Sequence, residues 1–167
     1  MPLDAPRFRH TMSHLVTGVT VVTARVGGPA GAVGLTASSV TSLSLEPPML
    51  LVCVGHDSQL HDALVRAERF AVNVLAADQV EVARRFADRG RQRLGDGEVT
   101  WSPGGAPLIP GALAQIECRR SAHLPGGDHT ILTGTLEWAW TADGGGEGRD
   151  ARGRPLCYFR GGYTVLG

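Results

Sequence analysis

Two short segments carry the side chains that could do chemistry. Thr36-Ala37-Ser38-Ser39 gathers three hydroxyls around one small residue. Such a run lets backbone N–H groups and hydroxyls approach a planar, hydrogen-bonding ligand or its phosphate. Gly126-Gly127-Asp128-His129-Thr130 sets an Asp beside a His at a loop-to-strand junction, where the carboxylate can fix the orientation of the imidazole. Each has an equally ordinary reading: Ser and Thr end strands, and Gly, Asp and His punctuate turns. Other chemistries find no support. The chain contains no lysine, which removes a P-loop lysine and a Schiff-base lysine together. No G-x-S-x-G nucleophile elbow occurs. No G-x-G-x-x-G follows a strand and opens a helix, so a nicotinamide would not be held by a Rossmann unit.

Metal and disulfide chemistry are equally poorly served. His10 and His14 would share one helix face, but they lack both the Glu of a zinc protease and a third ligand nearby. His56, His61 and His123 show no ligand spacing, so no metal site is expected. Cys53, Cys118 and Cys157 are far apart and odd in number. Each lies in an apolar or alternating run, where a free Cys behaves as a small hydrophobe.

These segments need a scaffold, and composition bounds it. At 167 residues the chain fits one domain, read here as residues 1–167. Hydrophobic residues make up 43% and charged residues 19%, which excludes a disordered chain. Sixteen basic residues balance sixteen acidic ones. No positive field gathers phosphates along a duplex, so nucleic acid is not an expected partner. Met1 to His10 has no apolar leader core and no stretch approaches a membrane span, so a reducing cytoplasm is expected.

Periodicity supplies the elements. Phe8, Met12 and Leu15 fall at helical spacing and predict a short opening helix. After Gly18, GVTVVTARV reads as a strand, and residues 32–39 read as its returning partner across the turn at 26–31. Pro47-Pro48 must mark an edge or loop. Met49 to Gly55 reads as a strand buried on both faces. A helix follows, with Asp57 or Ser58 as its N-cap and Leu60, Ala63, Leu64 and Ala67 on one face. Arg69 to Leu75 is a further strand. Asp78 should open another helix with Val82, Ala83 and Phe86 on its apolar side. Residues 89–105 form a polar, Gly-rich loop of the kind that covers a site.

The last third is all strand. Ile116 and Cys118 alternate with Glu117 and Arg119, and the run from Leu132 to Trp140 alternates likewise. Residues 142–155 read as a mobile hairpin tip. About six or seven strands with two or three short helices do not alternate as βαβα. The expected fold class is therefore mainly β, a β-dominated α+β domain with an antiparallel barrel and short flanking helices.

Several segments in order add a resemblance. F-R-H-T-M (8–12), T-G-V-T-V-V-T (17–23), G-L-T-A-S-S (34–39) and S-L-S-L-E-P-P (42–48) belong to it. So do R-F-A-V-N-V-L (69–75), R-R-F-A (84–87), G-D-H-T-I (127–131) and P-L-C-Y-F-R-G-G-Y (155–163). Together they resemble the short-chain flavin reductases, the reductase components of two-component flavin-dependent monooxygenases. The likeness runs from about residue 8 to residue 163, nearly the whole chain. It implies a flavin-binding split antiparallel β-barrel, usually a homodimer. It also implies an NAD(P)H:flavin oxidoreductase that passes a hydride from NADH or NADPH to FMN or FAD, with reduced flavin diffusing to a partner monooxygenase.

By that resemblance Thr36, Ala37, Ser38 and Ser39 would contact the flavin ring and ribityl chain. Cys53, Val54, Gly55, Ser58 and Gln59 would line the ring edge and hold the phosphate at the start of the following helix. Arg85 would add charge and Phe86 a pocket wall. His129, as the catalytic residue, and Tyr163 would face the nicotinamide. His56-Asp57 departs from the pattern, because an acidic residue sits awkwardly beside a phosphate. A non-catalytic flavin-binding or redox-sensing module on the same barrel, and a barrel with no ligand, remain competing readings. The second motive for a homodimer is the apolar surplus of Leu132, Leu136, Trp138 and Trp140.

Overall fold

The computed structural model describes residues 3–28, 31–90, 92–95, 97–143 and 153–166. Along these the chain forms α1 (Ala5–Met12), β1 (Thr17–Gly18), β2 (Thr20–Arg25), β3 (Ala32–Ala37), β4 (Val40–Leu45) and β5 (Pro48–Gly55). There follow α2 (His61–Arg66), β6 (Arg69–Val74), α3 (Val80–Ala87), β7 (Arg93–Leu94), β8 (Thr100–Trp101) and β9 (Pro107–Leu108). The strands β10 (Ala114–Gly126), β11 (His129–Thr141), β12 (Leu156–Phe159) and β13 (Gly162–Val165) complete the described chain. Eight strands form one sheet in the order β4-β5-β11-β10-β6-β2-β3-β7, β1-β12-β13 form a second, and β8-β9 pair alone. Every pairing is antiparallel. The fold is a β-dominated α+β domain with short helices.

The large sheet curls around its core. Val33 and Ala37 of β3 and Leu50, Val52 and Val54 of β5 stand well apart in strand order, yet they share one buried cluster with Phe70 and Leu132. A second cluster gathers Val19, Val21, Leu75, Ala83, Phe86 and Leu156 beneath α3. The expected hairpin of β2 with β3 is present, with Thr20 opposite Ala37 and Arg25 opposite Ala32.

Other expectations change. β5 is not buried on both faces: Leu50, Val52 and Val54 are buried while Met49, Leu51 and Cys53 are half-covered. Its apolar run reflects one core face and one face that other groups only partly cover. The N-cap of α2 is Leu60, without a side-chain cap, because Ser58 instead accepts the Leu60 N–H on Oγ at 3.2 Å within the preceding turn. Gln79, not Asp78, precedes α3. A β-bulge between Glu117 and Cys118 breaks the predicted alternation, so both side chains are buried. Glu117 takes the Gly104 N–H at 3.0 Å under the β8–β9 ribbon. Residues 144–152 of the expected hairpin tip lie outside the described residues, and β11 and β12, which the segment joins, belong to different sheets.

Proline and glycine act where the chain must turn. The Glu46-Pro47 peptide is cis, between the edge strand β4 and Pro48 at the start of β5. Gly127, at φ 72°, occupies the β10–β11 turn in a left-handed conformation that L side chains resist. This turn delivers His129 at the start of β11, opposite Gly126 on one side and Gly55 on the other.

Candidate functional site

Strand ends build the site. The last residues of β3 and the link to β4 bring Thr36, Ala37, Ser38 and Ser39 to one rim. The end of β5 and the following turn bring Cys53, Gly55, Asp57 and Ser58, and β11 brings His129. All nine line one cavity of about 340 Å³, with Leu35, Ala87, Arg89 and Gln92. A second cavity of about 570 Å³ adjoins it through Arg89 and Gln92 and is also lined by Gln59, Leu60, Arg85, Gly90, Arg93 and Glu98. An apolar groove of about 650 Å³ adjoins on the other side through Ser38 and Ser39, between α1 and the β12–β13 hairpin. The first cavity is thus the hinge of three.

The hydroxyls of the inner cavity are not equivalent. Thr36 Oγ1 donates to Ala83 O at 2.7 Å, tying β3 to α3. Ser39 Oγ donates to Cys53 O at 3.0 Å, tying the β3–β4 link to β5. Both oxygens can still accept from a ligand, but their protons serve the scaffold. Ser38 is exposed and lines both the inner cavity and the apolar groove. It is the hydroxyl best placed to donate.

At the opposite wall, His129 Nδ1 lies 2.7 Å from Asp128 Oδ1. The hydrogen bond to His129, then its charge, holds the Asp128 carboxyl below its ordinary range. With Nδ1–H donating to that carboxylate, a neutral imidazole presents the lone pair of Nε2. Nε2 lies 3.5 Å from where a Cβ on Gly55 would stand, and Asp57 Oδ1 lies 2.8 Å from the same point. The missing side chain at Gly55 makes room for the Asp57 carboxylate, with which a Cβ there would collide.

Val54, Phe86 and Tyr163 do not join this cavity. Val54 is fully buried in the main core, because alternation along β5 turns it away from Cys53 and Gly55. Phe86 lies in the second core cluster, its ring carbons 2.9 Å from the position of a Cβ on Gly34. It supports the wall from behind, while Ala87 faces the cavity. Tyr163 packs against the second cluster with its ring 5.5 Å from Tyr158, and burial raises its pKa. Tyr158, not Tyr163, lines the apolar groove.

Arg85 and Gln59 line the second cavity and not the inner one. Arg85 holds both oxygens of Glu98 and donates to Arg93 O at 3.1 Å. That pair, with a further hydrogen bond from Gly95 N, lowers the Glu98 pKa to about 2. The start of α2 offers less to an anion than expected. It is only six residues long, and the amides of Ser58, Leu60 and His61 already serve its entry turn.

Sequence reasoning missed Arg89 and Gln92. Arg85 sits on the last turn of α3, and Arg89 lies just past the extended C-cap Asp88, so no helical period links the two. Arg89 pairs with Asp57 across the boundary between the two cavities. Gln92 is buried, with Nε2 donating to Phe86 O and Oε1 unpartnered. His56 and His61 converge on Thr130, whose Oγ1 lies 3.3 and 2.8 Å from their Nε2 atoms. They brace the turn after β5 from behind the wall.

A curled antiparallel sheet with a hydroxyl- and histidine-lined cavity at its strand ends places the chain in a known class. A family model described as "Flavin reductase like domain" matches residues 12–167, and the chain belongs to that family. It is similar to the NADH-dependent FAD reductase of Streptomyces globisporus, 46% identical over 140 residues, covering 81% of this chain and 75% of that protein. It is also similar to the FMN reductase (NADH) SmoA of Agrobacterium fabrum, 40% identical over 156 residues, covering 93% of this chain and 83% of that protein. Among solved structures, the Streptomyces globisporus NADH:FAD oxidoreductase SgcE6, in complex with NAD and FAD fragments, superposes with a TM-score of 0.84 at 36% identity, covering 100% of this chain and 95% of that one. BorF, the flavin reductase component of a bacterial two-component tryptophan halogenase, gives 0.84 at 39% identity and 98% coverage of both chains.

Proposed function

We propose that this protein is an NAD(P)H:flavin oxidoreductase on a split β-barrel, reducing FMN or FAD for a partner monooxygenase. The observation that carries the reading is the convergence of Thr36–Ser39, Cys53, Gly55, Ser58 and His129 from three strand ends on one cavity. The donor set suits a flavin. Ser38 can donate, and Ser39 and Thr36 can accept. Arginines at the far rim suit its phosphate. The flavin itself supplies the hydride-accepting centre, so the protein needs no nucleophile of its own.

The chain's residues then position and shield. Ser38 and Ser39 anchor the ring edge and stand where the cavity opens into the apolar groove. His129, held by Asp128, presents Nε2 to accept a hydrogen bond from the carboxamide N–H of the nicotinamide. This fixes which face of the donor meets the ring, the orientational part of hydride transfer. Val54 and Phe86 support these walls from the core, and Tyr163 supports Tyr158.

The test is direct. Purified protein, NADH or NADPH, and FMN or FAD should give multiple turnovers at the nicotinamide absorbance band. Flavin retention without nicotinamide oxidation would replace the enzyme by a flavin-binding module.

A homodimer belongs to the same proposal, and of the residues first suggesting it Trp140 stays exposed. Leu132 is fully buried, and Leu136 and Trp138 pack on this chain's own clusters. Exposed apolar side chains on the described residues include Phe8, Met12 and Leu15 around α1, Leu43 and Leu45 on the edge strand β4, with Leu45 84% exposed, and Trp140 at the end of β11. Patches of this kind mark interfaces. Light scattering should report twice 17.6 kDa; a fully active monomer at micromolar concentration would refute the dimer. No described helix is long and apolar enough to cross a membrane.

A further inference from the structure

Asp57 is the residue that departs from the resemblance, and its placement gives it a role. Its carboxylate lies over Gly55 on the floor of the inner cavity and ion-pairs with Arg89. Arg89 is the one arginine among the described residues lining both cavities. Its neighbours are otherwise engaged or further out. Arg85 is held by Glu98, Arg84 by Glu81, and Arg93 lines the outer cavity alone. An anion in the inner cavity therefore finds Arg89 as its nearest arginine, with a carboxylate already seated on it.

We infer that Asp57 is an internal competitor for the phosphate of the flavin, an anion of the chain's own that occupies Arg89 until the ligand displaces it. The inference rests on the flavin reading above and deepens it. The exchange is easy in both directions, because the side chains of Asp57 and Arg89 are 75% and 59% exposed and such pairs hold weakly. A phosphate dianion presents more charge and more acceptor oxygens than a carboxylate, so it wins Arg89 when present. The displaced Asp57 stays attached nearby and repels the phosphate it has yielded to. Phosphate-bearing flavin is thereby held more loosely than the rest of the cavity would dictate. Loose holding suits a protein whose reduced flavin must leave for a second protein. Discrimination follows too: riboflavin, which carries no phosphate, never meets the competition.

Titration of FMN and riboflavin by flavin fluorescence, on wild type, Asp57→Asn and Arg89→Met, tests this, with a melting curve for each. Asp57→Asn should tighten FMN by about two- to fivefold and leave riboflavin unchanged, the scale of one exposed charge interaction. The gain should shrink at high salt, where exposed charges are screened. Arg89→Met should weaken FMN and leave riboflavin unchanged. Asp57→Ser serves as a second variant should the amide disturb the turn. Unchanged or weaker FMN binding in a folded Asp57 variant would overturn the inference, because Asp57 would then be idle or would position Arg89 for the ligand. An equal gain for riboflavin would overturn it as well, reducing the effect to space. Wild type that binds neither flavin defeats the flavin reading itself, a separate result from phosphate-independent binding.

Discussion

The inner cavity and the arginine-lined cavity share Arg89 and Gln92 but are held in different ways. The inner walls are strand ends fixed by ladder hydrogen bonds and by the scaffold bonds of Thr36 and Ser39, with the core directly behind. The outer rim is strapped by ion pairs, Arg85–Glu98 and Asp57–Arg89, whose partners are all at least a quarter exposed. A ladder sets position; an exposed ion pair can exchange its partner. The division suits a ligand with a planar part that must be oriented and an anionic part that must come and go.

The largest effect should come from disturbing the ladder-held side. A Cβ on Gly34 would stand 2.9 Å from two ring carbons of Phe86 and 3.1 Å from Val21 Cγ1. Gly34→Val should therefore cost about 1–3 kcal/mol of stability by overpacking, roughly 2–12 °C in melting temperature for a chain of this size. Flavin affinity should fall with it, because β3 carries Thr36 and Ala37. An unchanged melt would mean that the wall is softer than this account holds.

A smaller effect is expected at the functional face of the same wall. His129→Ala should lower kcat/KM for NADH by about three- to tenfold, the scale of one hydrogen bond to a neutral carboxamide. Flavin affinity should stay nearly intact. A loss of stability with unchanged reduction kinetics would confine His129 to the strand end.

The smallest effect belongs to the rim. Glu98 has its pKa lowered from 4.5 to about 2, chiefly by Arg85. A carboxyl depressed on folding contributes stability that is present above its unfolded pKa and is lost as pH falls through the folded one. The window runs from about pH 4.5 down to about 2. Glu98→Gln should flatten part of the acid limb there and change little at neutral pH, since the side chain is 40% exposed and screened. Acid unfolding curves of the two proteins make the comparison.

Much of this arrangement was legible in the residues. Alternation and β-branched runs located β2, β3, β5, β6, β10 and β11, and the hydroxyl run and G-D-H-T met in one cavity. What stayed hidden were facts set by tertiary contact. The resemblance implies a pocket wall at Phe86, whereas its spacing, three residues after Ala83 on an amphipathic helix, turns it to the core. Glu117 looked exposed because a bulge leaves no trace in a period-two pattern. Arg89 lies past the C-cap of α3, where no helical period marks its direction. Asp57 looked like a misfit only because its partner lies 32 positions away.

The central claim is that the inner cavity is where flavin is reduced. Its most direct test is anaerobic stopped-flow reduction of flavin by NADH in wild type and in Ser38→Leu/Ser39→Leu, both shown folded by their melting curves. Two Leu side chains at the shared mouth of the cavity and the apolar groove would fill the space and remove the hydroxyls. The account predicts prompt reduction by wild type and at least about tenfold weaker flavin binding in the double variant, the loss of one to two hydrogen bonds with added crowding. A folded double variant that binds and reduces flavin as wild type does would contradict it.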